Sequence, residues 1–341
     1  MSTNQDSLVL VTGISGFVGL HTALVLLKEG YRVRGTLRSQ RRAAPLREAL
    51  ARHTAAADRL ELVDADLSSD AGWGDAARGC RFVHHIASPI PSEIPRHEDD
   101  LIVPAREGAL RVLRAAAEAG VQRVVMTSSL AAVVYGHNRD GSRTFDERDW
   151  SIVEGLNPYE KSKTLAERAA WDFANERGLD FTTINPGLIL GPLLTGDSPP
   201  TSSEAVRKFM AKEFPGVPNL GYATVDVRDV AAAHVAAMTA PGAGGERFCC
   251  AGDHTWMAEI VEILNRNFAD RGYKIPTRKL PNFVIRAASL FDKTTRLVVQ
   301  ELGKRQDIDS TKIRDRLGWK PRSLEEMVVD MGESLITHGL V

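Results

Sequence analysis

A glycine-rich loop near the start of the chain constrains the fold more than any other feature. The apolar run Leu8–Val11 passes into T-G-I-S-G-F-V-G, and Phe17–Lys28 then has helical periodicity. In such a strand–loop–helix unit the glycines allow a tight turn, close approach of backbone N–H groups to a pyrophosphate, and close helix packing. The helix N-terminus favours an anion. The loop therefore predicts a dinucleotide site, with contacts expected from Thr12, Gly13, Ser15, Gly16, Phe17, Val18 and Gly19.

Apolar β-branched runs alternate with longer helical patterns through the first half of the chain. Further strands are predicted at Tyr31–Leu37, Leu60–Val63, Phe82–Ile86, Val121–Met126 and Phe181–Ile184, and helices at Ala43–Ala56, at His97–Ala119 and from near Pro158. Alternation of this length implies parallel strands joined by right-handed crossovers. The predicted fold class is α/β, a Rossmann-type doubly wound parallel sheet with helices on both faces.

After Asn185 the pattern changes to loops rich in proline and glycine. Helices are predicted at Ser203–Phe214, Val227–Met238 and Met257–Phe268, and a short strand near Arg247–Cys249. We expect a dinucleotide-binding domain over residues 1–186, with additions from about 222–250. Residues 187–341 are then mainly a smaller substrate lobe, intertwined with that domain.

Composition and charge exclude several other classes of protein. The formal net charge of −1 gives no general attraction to nucleic acid or an anionic membrane. No apolar run approaches the roughly 20 residues of a membrane span, and no signal-peptide pattern is present. We therefore expect a cytoplasmic protein that acts on a small molecule, as a monomer or a homodimer.

Metal binding is not expected from the cysteines or histidines. The three cysteines, Cys80, Cys249 and Cys250, lack the C-x-x-C spacing of a zinc site and are too few for a disulfide framework. His84 and His85 lie inside a predicted strand with no second group of ligands nearby. All five are expected to be packed or hydrogen-bonded within the protein.

The end of the second predicted strand indicates which dinucleotide binds. NAD-selective enzymes usually carry Asp or Glu there to accept from the ribose 2′-hydroxyl, but this sequence reads Gly35-Thr36-Leu37-Arg38-Ser39-Gln40-Arg41-Arg42. A guanidinium pairs with a 2′-phosphate, which a carboxylate would repel. We expect NADP(H), with Arg38 on the phosphate or adenine and Arg41 or Arg42 closing over it. The alternative is a solvated basic turn.

Other strand ends carry residues that suit a bound dinucleotide. Ligands of open α/β sheets lie along the carboxyl edge of the strands. Asp66 can accept from an adenine amino group there, and small residues after the fourth strand let the backbone lie along the cofactor. The further expected contacts are Asp66, Leu67, Ala87, Ser88, Pro89, Thr127 and Ser128.

A tyrosine, a lysine and a serine supply the predicted chemistry. Tyr159 and Lys163 lie four residues apart in a predicted helix, so they share one face. We expect the ammonium to lower the tyrosine pKa from about 10 toward the range of a general acid; Lys161 is expected to be solvated. Ser128 or Ser129 can hydrogen-bond the substrate oxygen; the sequence alone does not separate them.

Taken together, these motifs resemble the extended short-chain dehydrogenase/reductases. The T-G-x-x-G-x-x-G loop, T-S-S, Y-x-x-x-K and N-P-G are typical of that superfamily, and GTLRS, HHIASPI and YEKSKTLAERAAWDF are similar to its dihydroflavonol reductase-like branch, which includes cinnamoyl-CoA, aldehyde and ketone reductases. The resemblance covers essentially the whole chain. It implies a catalytic triad of Ser129, Tyr159 and Lys163. It further implies nicotinamide contacts at Pro186, Gly187 and Leu188, and a diphosphate contact from Ser202 or Ser203.

One departure from the family concerns the substrate pocket. Leu130-Ala131-Ala132 stands where plant members often have Ala-Gly-Thr, which alters the pocket beside Ser129. The loop Ser88–Arg96 and the lobe from Gly187 onward carry no distinctive polar anchor, which favours an aromatic or aliphatic ketone or aldehyde. One or two of the lobe aromatics are expected to line the pocket; these are Phe209, Phe214, Tyr222, Phe283 and Phe291.

The resulting hypothesis is an NADPH-dependent carbonyl reductase in which Tyr159 is the general acid. One alternative is a nucleotide-sugar epimerase or dehydratase of the same superfamily, which usually prefers NAD; Arg38 argues against it. Another is a non-catalytic NADP(H)-sensing protein. Such proteins typically lose the tyrosine–lysine pair, which this chain keeps.

Overall fold

Short apolar strands form a parallel sheet that organises the molecule. The computed structural model describes residues 7–89, 97–197, 199–291, 296 and 298–341. The described strands are β1 (Leu8–Thr12), β2 (Arg32–Leu37), β3 (Leu60–Asp64), β4 (Phe82–His85), β5 (Arg123–Thr127), β6 (Thr144–Phe145), β7 (Phe181–Pro186), β8 (Leu188–Leu190), β9 (Gly221–Asp226), β10 (Arg247–Cys250), β11 (His254–Trp256) and β12 (Asp307–Ile308).

The described helices cover the strands or extend the chain beyond them. They are α1 (Phe17–Lys28), α2 (Ala43–Ala51), α3 (Trp73–Ala77), α4 (Asp99–Glu118), α5 (Pro158–Arg177), α6 (Thr201–Met210), α7 (Val227–Thr239), α8 (Met257–Phe268), α9 (Asn282–Ala288), α10 (Thr311–Leu317) and α11 (Leu324–Thr337).

Within the described residues, seven parallel strands pair in the order β10-β7-β5-β4-β1-β2-β3. Strand β1 shows why both faces are covered, since all five of its residues are buried. Val9 and Val11 join a hydrophobic cluster with α1 and α7, whereas Leu8 and Leu10 join one with α4 and α5. Side chains alternate between the faces of a strand, so an unbroken apolar run requires a helix layer on each side.

The strand order reverses between β1 and β4, and hydrogen bonds close the carboxyl ends of these two strands together. The Thr12 hydroxyl oxygen accepts from the backbone N–H of Ile86 and of Ala87, each at 3.0 Å. It lies 3.0 Å from Nδ1 of the buried His85. Ligands of doubly wound sheets bind at such a reversal.

The predicted fold class is confirmed, and so are the six strands predicted for the first half of the chain. The predicted helix from Ala43 is shorter than expected and ends at Ala51. A separate 3-10 helix, Ala55–Arg59, follows because the Thr54 hydroxyl accepts from Ala56 N–H and starts a new turn. Helix α3 was not predicted, because its five residues are too few for a periodic pattern.

Two small sheets that were not predicted accompany the large one. Strands β8, β9 and β11 form one, and β6 pairs with β12 in the other. Helices α6, α8 and α11 pack on a second hydrophobic cluster centred on Phe209, Leu264 and Met331. The division of the chain at residue 186 stays a prediction.

The close packing of α1 on the glycine loop generates a stability prediction. A methyl group on Gly19 would lie 2.3 Å from the Gly13 carbonyl oxygen, whereas one on Gly74 of α3 would meet no atom within 4 Å. We expect Gly19→Ala to lower the free energy of unfolding in urea by about 1–3 kcal/mol, as overpacking does. The matched Gly74→Ala should be neutral or stabilising, by up to about 1 kcal/mol. Equal effects of the two substitutions would contradict this account of the loop.

Candidate active site

The glycine loop brings β1, α1 and the end of β4 into backbone contact. Gly13 has a φ of +64°, and an added methyl group there would lie 2.9 Å from the Ala87 Cα. The N–H of Gly13 donates to the Thr36 hydroxyl of β2 at 3.1 Å. Glycine is required at Gly13 by its conformation and at Gly19 by its close contact. The glycine loop therefore lies where the strand order reverses. The absence of side chains at Gly13 and Gly19 allows its close backbone contacts.

The N-terminus of α1 fits the pyrophosphate of a dinucleotide. Within the described part of the chain no side chain caps this 12-residue helix, and its first turn holds no acidic residue. Uncapped backbone N–H groups and the helix dipole favour an anion. A narrow crevice is lined by Ser15, Gly16 and Phe17 on one side and by Leu193 and Thr195 on the other. The glycine loop and the N-terminus of α1 thus form a cradle for an anion. Side chains at the glycine positions would fill this cradle.

Arg38 is exposed directly after β2 and close enough to Asp66 to influence it. The pKa of Asp66 is lowered mainly by hydrogen bonds from Ser68, with a smaller contribution from the positive charge of Arg38. Arg41 is also exposed and Arg42 half-buried, and both lie in a 3-10 turn that Ser39 caps. The basic residues therefore surround the ends of β2 and β3.

Asp66 and Leu67 begin the loop after β3. Both the N–H and the hydroxyl of Ser68 donate to Asp66 Oδ1 at 2.8 Å, so this oxygen already has two protein donors. The Leu67 carbonyl accepts from Arg111 at 2.8 Å, and the Leu67 side chain lies against Gly108 of α4. Both residues are half-buried at the carboxyl edge.

The segment after β4 connects the glycine loop with the predicted chemical residues. Ala87 contacts Gly13, and the Ser88 hydroxyl accepts a hydrogen bond from Lys163 Nζ at 3.0 Å. Pro89 follows and is half-buried. The remainder of the predicted substrate loop, residues 90–96, lies outside the described residues.

The structure separates the two candidate serines. The Ser129 side chain lies near enough to the Tyr159 hydroxyl to lower its pKa, and the Ser129 Oγ accepts from Ala131 N–H at 3.0 Å. The neighbouring Ser128 is buried and donates to Glu167 at 2.5 Å. Successive residues of an extended segment point to opposite sides, so only Ser129 faces the tyrosine.

The expected direction of the Tyr159 pKa shift was wrong. Burial of its hydroxyl raises the pKa above the usual 10.0, and the Ser129 hydrogen bond lowers it only in part, although 41% of the residue surface is exposed. Lys163 Nζ lies 5.9 Å from the centre of the tyrosine ring and donates to Ser88 instead. Desolvation therefore outweighs the effect of Ser129, and Tyr159 is held in its protonated form.

Lys163 is itself strongly affected by burial. Its pKa is lowered from 10.5 to about 8, because removal from water disfavours the ammonium, while the Glu167 carboxylate acts in the opposite direction. Burial lowers the pKa of the neighbouring His85 to about 3, and the Lys163 ammonium adds to that shift. Lys163 therefore has a lowered pKa, whereas the neighbouring Tyr159 has a raised pKa.

The remaining predicted contacts lie around β5 and β7. The Thr127 hydroxyl lies 2.7 Å from Nε2 of the buried His234. Pro186 is buried at the end of β7, and a methyl group on Gly187 would lie 2.1 Å from the Ala223 carbonyl oxygen of β9. Leu188, half-buried, begins β8. These residues form a continuous wall at the carboxyl edge.

The two serines considered for the diphosphate lie in the first turn of α6. Ser203 is buried, and its hydroxyl donates to the Pro200 carbonyl at 2.8 Å. Ser202 is half-buried. Ser202 is therefore the one of the two whose hydroxyl has solvent access.

Several side chains lie elsewhere than expected. Lys161 was expected to be solvated, but its Nζ pairs with Glu98 at 2.5 Å. Of the lobe aromatics, Phe209 is buried in the second hydrophobic cluster, whereas Phe283 and Phe291 are 72% and 92% exposed. Phe214 and Tyr222 are the partly buried members of that set.

One residue beside the site was missed altogether. Glu167 lies four residues after Lys163 in α5 and is fully buried among hydrogen-bond donors. A second helical step of four from Tyr159 and Lys163 was the available signal, because it continues the same face. An acidic residue on a helix is usually solvated, and the sequence offered no reason to treat this one differently.

The described residues hold no group of three or more His, Cys, Asp or Glu side chains placed to bind a metal ion. Their helices also include none long and apolar enough to cross a membrane. The three cysteines are buried as free thiols.

The chain matches known proteins over most of its length. Residues 9–251 match the model of the NAD dependent epimerase/dehydratase family. The chain is 35% identical to tetraketide alpha-pyrone reductase 1 of Arabidopsis thaliana over 97% of its length and 96% of that protein's. It is 37% identical to cinnamoyl-CoA reductase 1 of Petunia hybrida over 82% of each chain.

Solved structures of reductases share the fold. The yeast methylglyoxal/isovaleraldehyde reductase Gre2, complexed with NADPH, superposes with a TM-score of 0.81 at 29% identity, covering 98% of this chain and 100% of that one. Vestitone reductase from alfalfa (Medicago sativa) superposes with a TM-score of 0.75 at 26% identity, over 98% and 99% of the two chains.

The buried lysine generates a prediction about stability and pH. The folded-state pKa of about 8 lies below the 10.5 of an unperturbed lysine, so the unfolded chain binds more protons between these values. Burial of Lys163 therefore destabilises the ligand-free protein fully below pH 8, and this penalty disappears as the pH rises toward 10.5. We expect Lys163→Met to raise Tm at pH 7 and this gain to shrink above pH 8. A gain that stays constant with pH would contradict the lowered pKa.

Proposed function

The chain belongs to the NAD dependent epimerase/dehydratase family, within the extended short-chain dehydrogenase/reductases, and from this membership we propose that it is an NADPH-dependent carbonyl reductase. The observation that carries the proposal is the convergence of Ser129, Tyr159 and Lys163 beside the glycine loop. Ser88 connects Lys163 to the segment that contacts Gly13, so cofactor cradle and chemical residues form one site.

NADP(H) is the cofactor that the site favours. The N-terminus of α1 would hold the pyrophosphate and Arg38 the 2′-phosphate, with Arg41 able to close over it. No carboxylate occurs between Gly35 and Arg42 to accept from a free 2′-hydroxyl. When bound, NADPH supplies a hydride to the substrate carbonyl carbon.

Tyr159 is the proposed general acid. Its raised pKa keeps the phenol protonated at neutral pH, as a donor to a forming alkoxide must be. Ser129 would donate a hydrogen bond to the same oxygen and stabilise the developing charge. The Ser129 side chain already acts on the Tyr159 hydroxyl in the ligand-free protein, where it lowers the Tyr159 pKa. The two hydroxyls are therefore close enough for one substrate oxygen to interact with both.

Lys163 would act on both the cofactor and the acid. Its ammonium lies next to the Ser88 hydroxyl, at the segment expected to follow the cofactor. A positive charge there would stabilise the phenolate that Tyr159 becomes after it gives up its proton, at the moment when this charge appears. The pKa of about 8 keeps most of the lysine charged at neutral pH.

The substrate is proposed to be an aromatic or aliphatic ketone or aldehyde. Leu130, Ala131 and Val133, which follow Ser129, are apolar and buried, so they supply no polar side chain to anchor a sugar nucleotide. Neither alternative function is favoured by an observation of comparable weight. A sugar-nucleotide epimerase would be expected to carry an acid after β2, and a non-catalytic sensor has no need of the Ser129–Tyr159 contact.

The proposed general acid is tested by a matched pair of tyrosine variants. Tyr159→Phe removes the proton donor and should lower kcat for NADPH-dependent reduction by about a hundredfold or more, while fluorescence titration gives an unchanged Kd for NADPH. Tyr273→Phe makes the same change in the second hydrophobic cluster, against Phe268, and should leave kcat unaltered. Near-normal turnover by Tyr159→Phe would rule out this role.

Cofactor selection is tested at Arg38. Arg38→Ala should weaken NADPH binding by about tenfold or more, the value of a lost charge-assisted hydrogen bond, without weakening NADH binding. Arg78→Ala is the control, since Arg78 is an equally exposed arginine, at the C-terminus of α3, that pairs with Asp75. If Arg38→Ala weakens both cofactors alike, Arg38 does not read the 2′-phosphate.

A further inference from the structure

Glu167 is a buried charge behind the active site. Its side chain is fully buried, and it lies one helical turn after Lys163 in α5. A buried carboxylate is strongly unfavourable unless nearby donors compensate it. The arrangement of those donors therefore indicates what the charge holds in place.

Five side-chain donors surround the two carboxylate oxygens. Oε2 accepts from the Ser128 hydroxyl at 2.5 Å and from Asn185 Nδ2 at 2.7 Å. Oε1 accepts from Arg247 Nε at 2.7 Å, the Thr183 hydroxyl at 3.2 Å and Trp171 Nε1 at 3.3 Å. Trp171 belongs to α5 itself, and the other four come from the ends of β5, β7 and β10.

The two oxygens serve different parts of the sheet. Arg247 is anchored on the Oε1 side, since its Nη1 donates to the carbonyls of Glu147 and Asp149, each at 2.7 Å, and its guanidinium stacks on Trp150 at 3.7 Å. The two partners of Oε2, Ser128 and Asn185, are in contrast both connected to Ser129, the proposed catalytic serine.

Asn185 and Ser128 connect Glu167 to Ser129 by two short routes. Asn185 Nδ2 donates to the Ser129 carbonyl at 3.2 Å as well as to Glu167. Ser128 precedes Ser129 directly in the chain. The same helix that carries Tyr159 and Lys163 thus holds the end of β5 through a single carboxylate.

We propose that Glu167 is a positioning residue that fixes Ser129 relative to Tyr159, through Asn185 and Ser128. The inference rests on the proposed function for its kinetic consequence but not for its geometry. A glutamine at position 167 would turn an NH2 group toward Asn185 or Arg247, both of which are donors. Relief of that conflict by rotation of the Asn185 amide would break its bond to the Ser129 carbonyl.

The test compares three variants by kinetics and by crystal structures of the ligand-free proteins. Glu167→Gln and Asn185→Ala are expected to lower kcat by about a hundredfold, the effect of a misplaced reacting group, with the Kd for NADPH changed by less than about threefold (below 1 kcal/mol). In their structures the distance from Ser129 Oγ to Tyr159 Oη should exceed that in the wild-type crystal by about 0.5 Å or more, the tolerance of a preorganised site. Trp171→Phe removes one donor from Oε1 only and should leave kcat and this distance unchanged.

Asn185→Ala keeps the inference testable if Glu167→Gln does not fold, because it leaves the Glu167–Arg247 pair intact. An unchanged Ser129–Tyr159 distance in the variant crystals would overturn the positioning role, whatever happens to activity. If instead the wild-type protein reduces no carbonyl, the proposed function fails while the distance still decides the inference.

The pH profile separates positioning from charge. Glu167 raises the pKa of Lys163, which also faces Tyr159, His85 and Ser88. Glu167→Gln should therefore move the alkaline limb of kcat/KM to lower pH, whereas Asn185→Ala, which keeps the charge, should lower kcat without moving that limb. A fall in kcat for Glu167→Gln alone, with Asn185→Ala normal, would assign the effect to charge and overturn the positioning role.

Discussion

The close backbone contact within the glycine loop determines where the rest of the site lies. Gly19 can approach the Gly13 carbonyl, and Gly13 can approach Ala87, only because neither glycine carries a side chain. The first contact places the N-terminus of α1 at the strand reversal, and the second brings the end of β4 to the same point. Ser88, the next residue, then reaches Lys163. A continuous path of contacts therefore runs from the glycine loop to α5, the helix that carries Tyr159 and Lys163.

Burial shifts the pKa values of the two residues at the end of that path of contacts, Tyr159 and Lys163. It raises the pKa of Tyr159 and lowers that of Lys163, so the two move in the directions that favour a neutral pair. A protonated phenol is the form that a general acid needs before reaction, and the lysine charge becomes most valuable when the phenolate forms. These shifts support the proposed role of Tyr159 as proton donor, and the Glu167 carboxylate raises the Lys163 pKa in opposition to burial.

How much the sequence predicted depended on the length of each pattern. Buried parallel strands appear as apolar runs, so β1 to β5 and β7 were found, whereas β8, β11 and α3 have three to five residues each and gave no periodic signal. The site residues could be predicted because glycine spacing and the four-residue helical step are local patterns, and their roles stay predictions. No local sequence pattern separates Ser129 from Ser128, because the choice depends on which side of β5 faces α5. The direction of the Tyr159 pKa shift was predicted wrongly, because helical spacing indicates that Lys163 is near but not that the Tyr159 hydroxyl is desolvated.

In the proposed reaction a hydride passes from NADPH to the carbonyl carbon and leaves the site in the alcohol product, and an isotope-transfer experiment measures this step. Carbonyl substrates would be reduced with NADPH carrying deuterium at the transferred position of nicotinamide C4, and the alcohol analysed by mass spectrometry and NMR. The account predicts one deuterium per product molecule, bonded to the former carbonyl carbon. Turnover that yields a product without deuterium, or with no net consumption of NADPH, would contradict it and point to chemistry in which the cofactor is regenerated within the site.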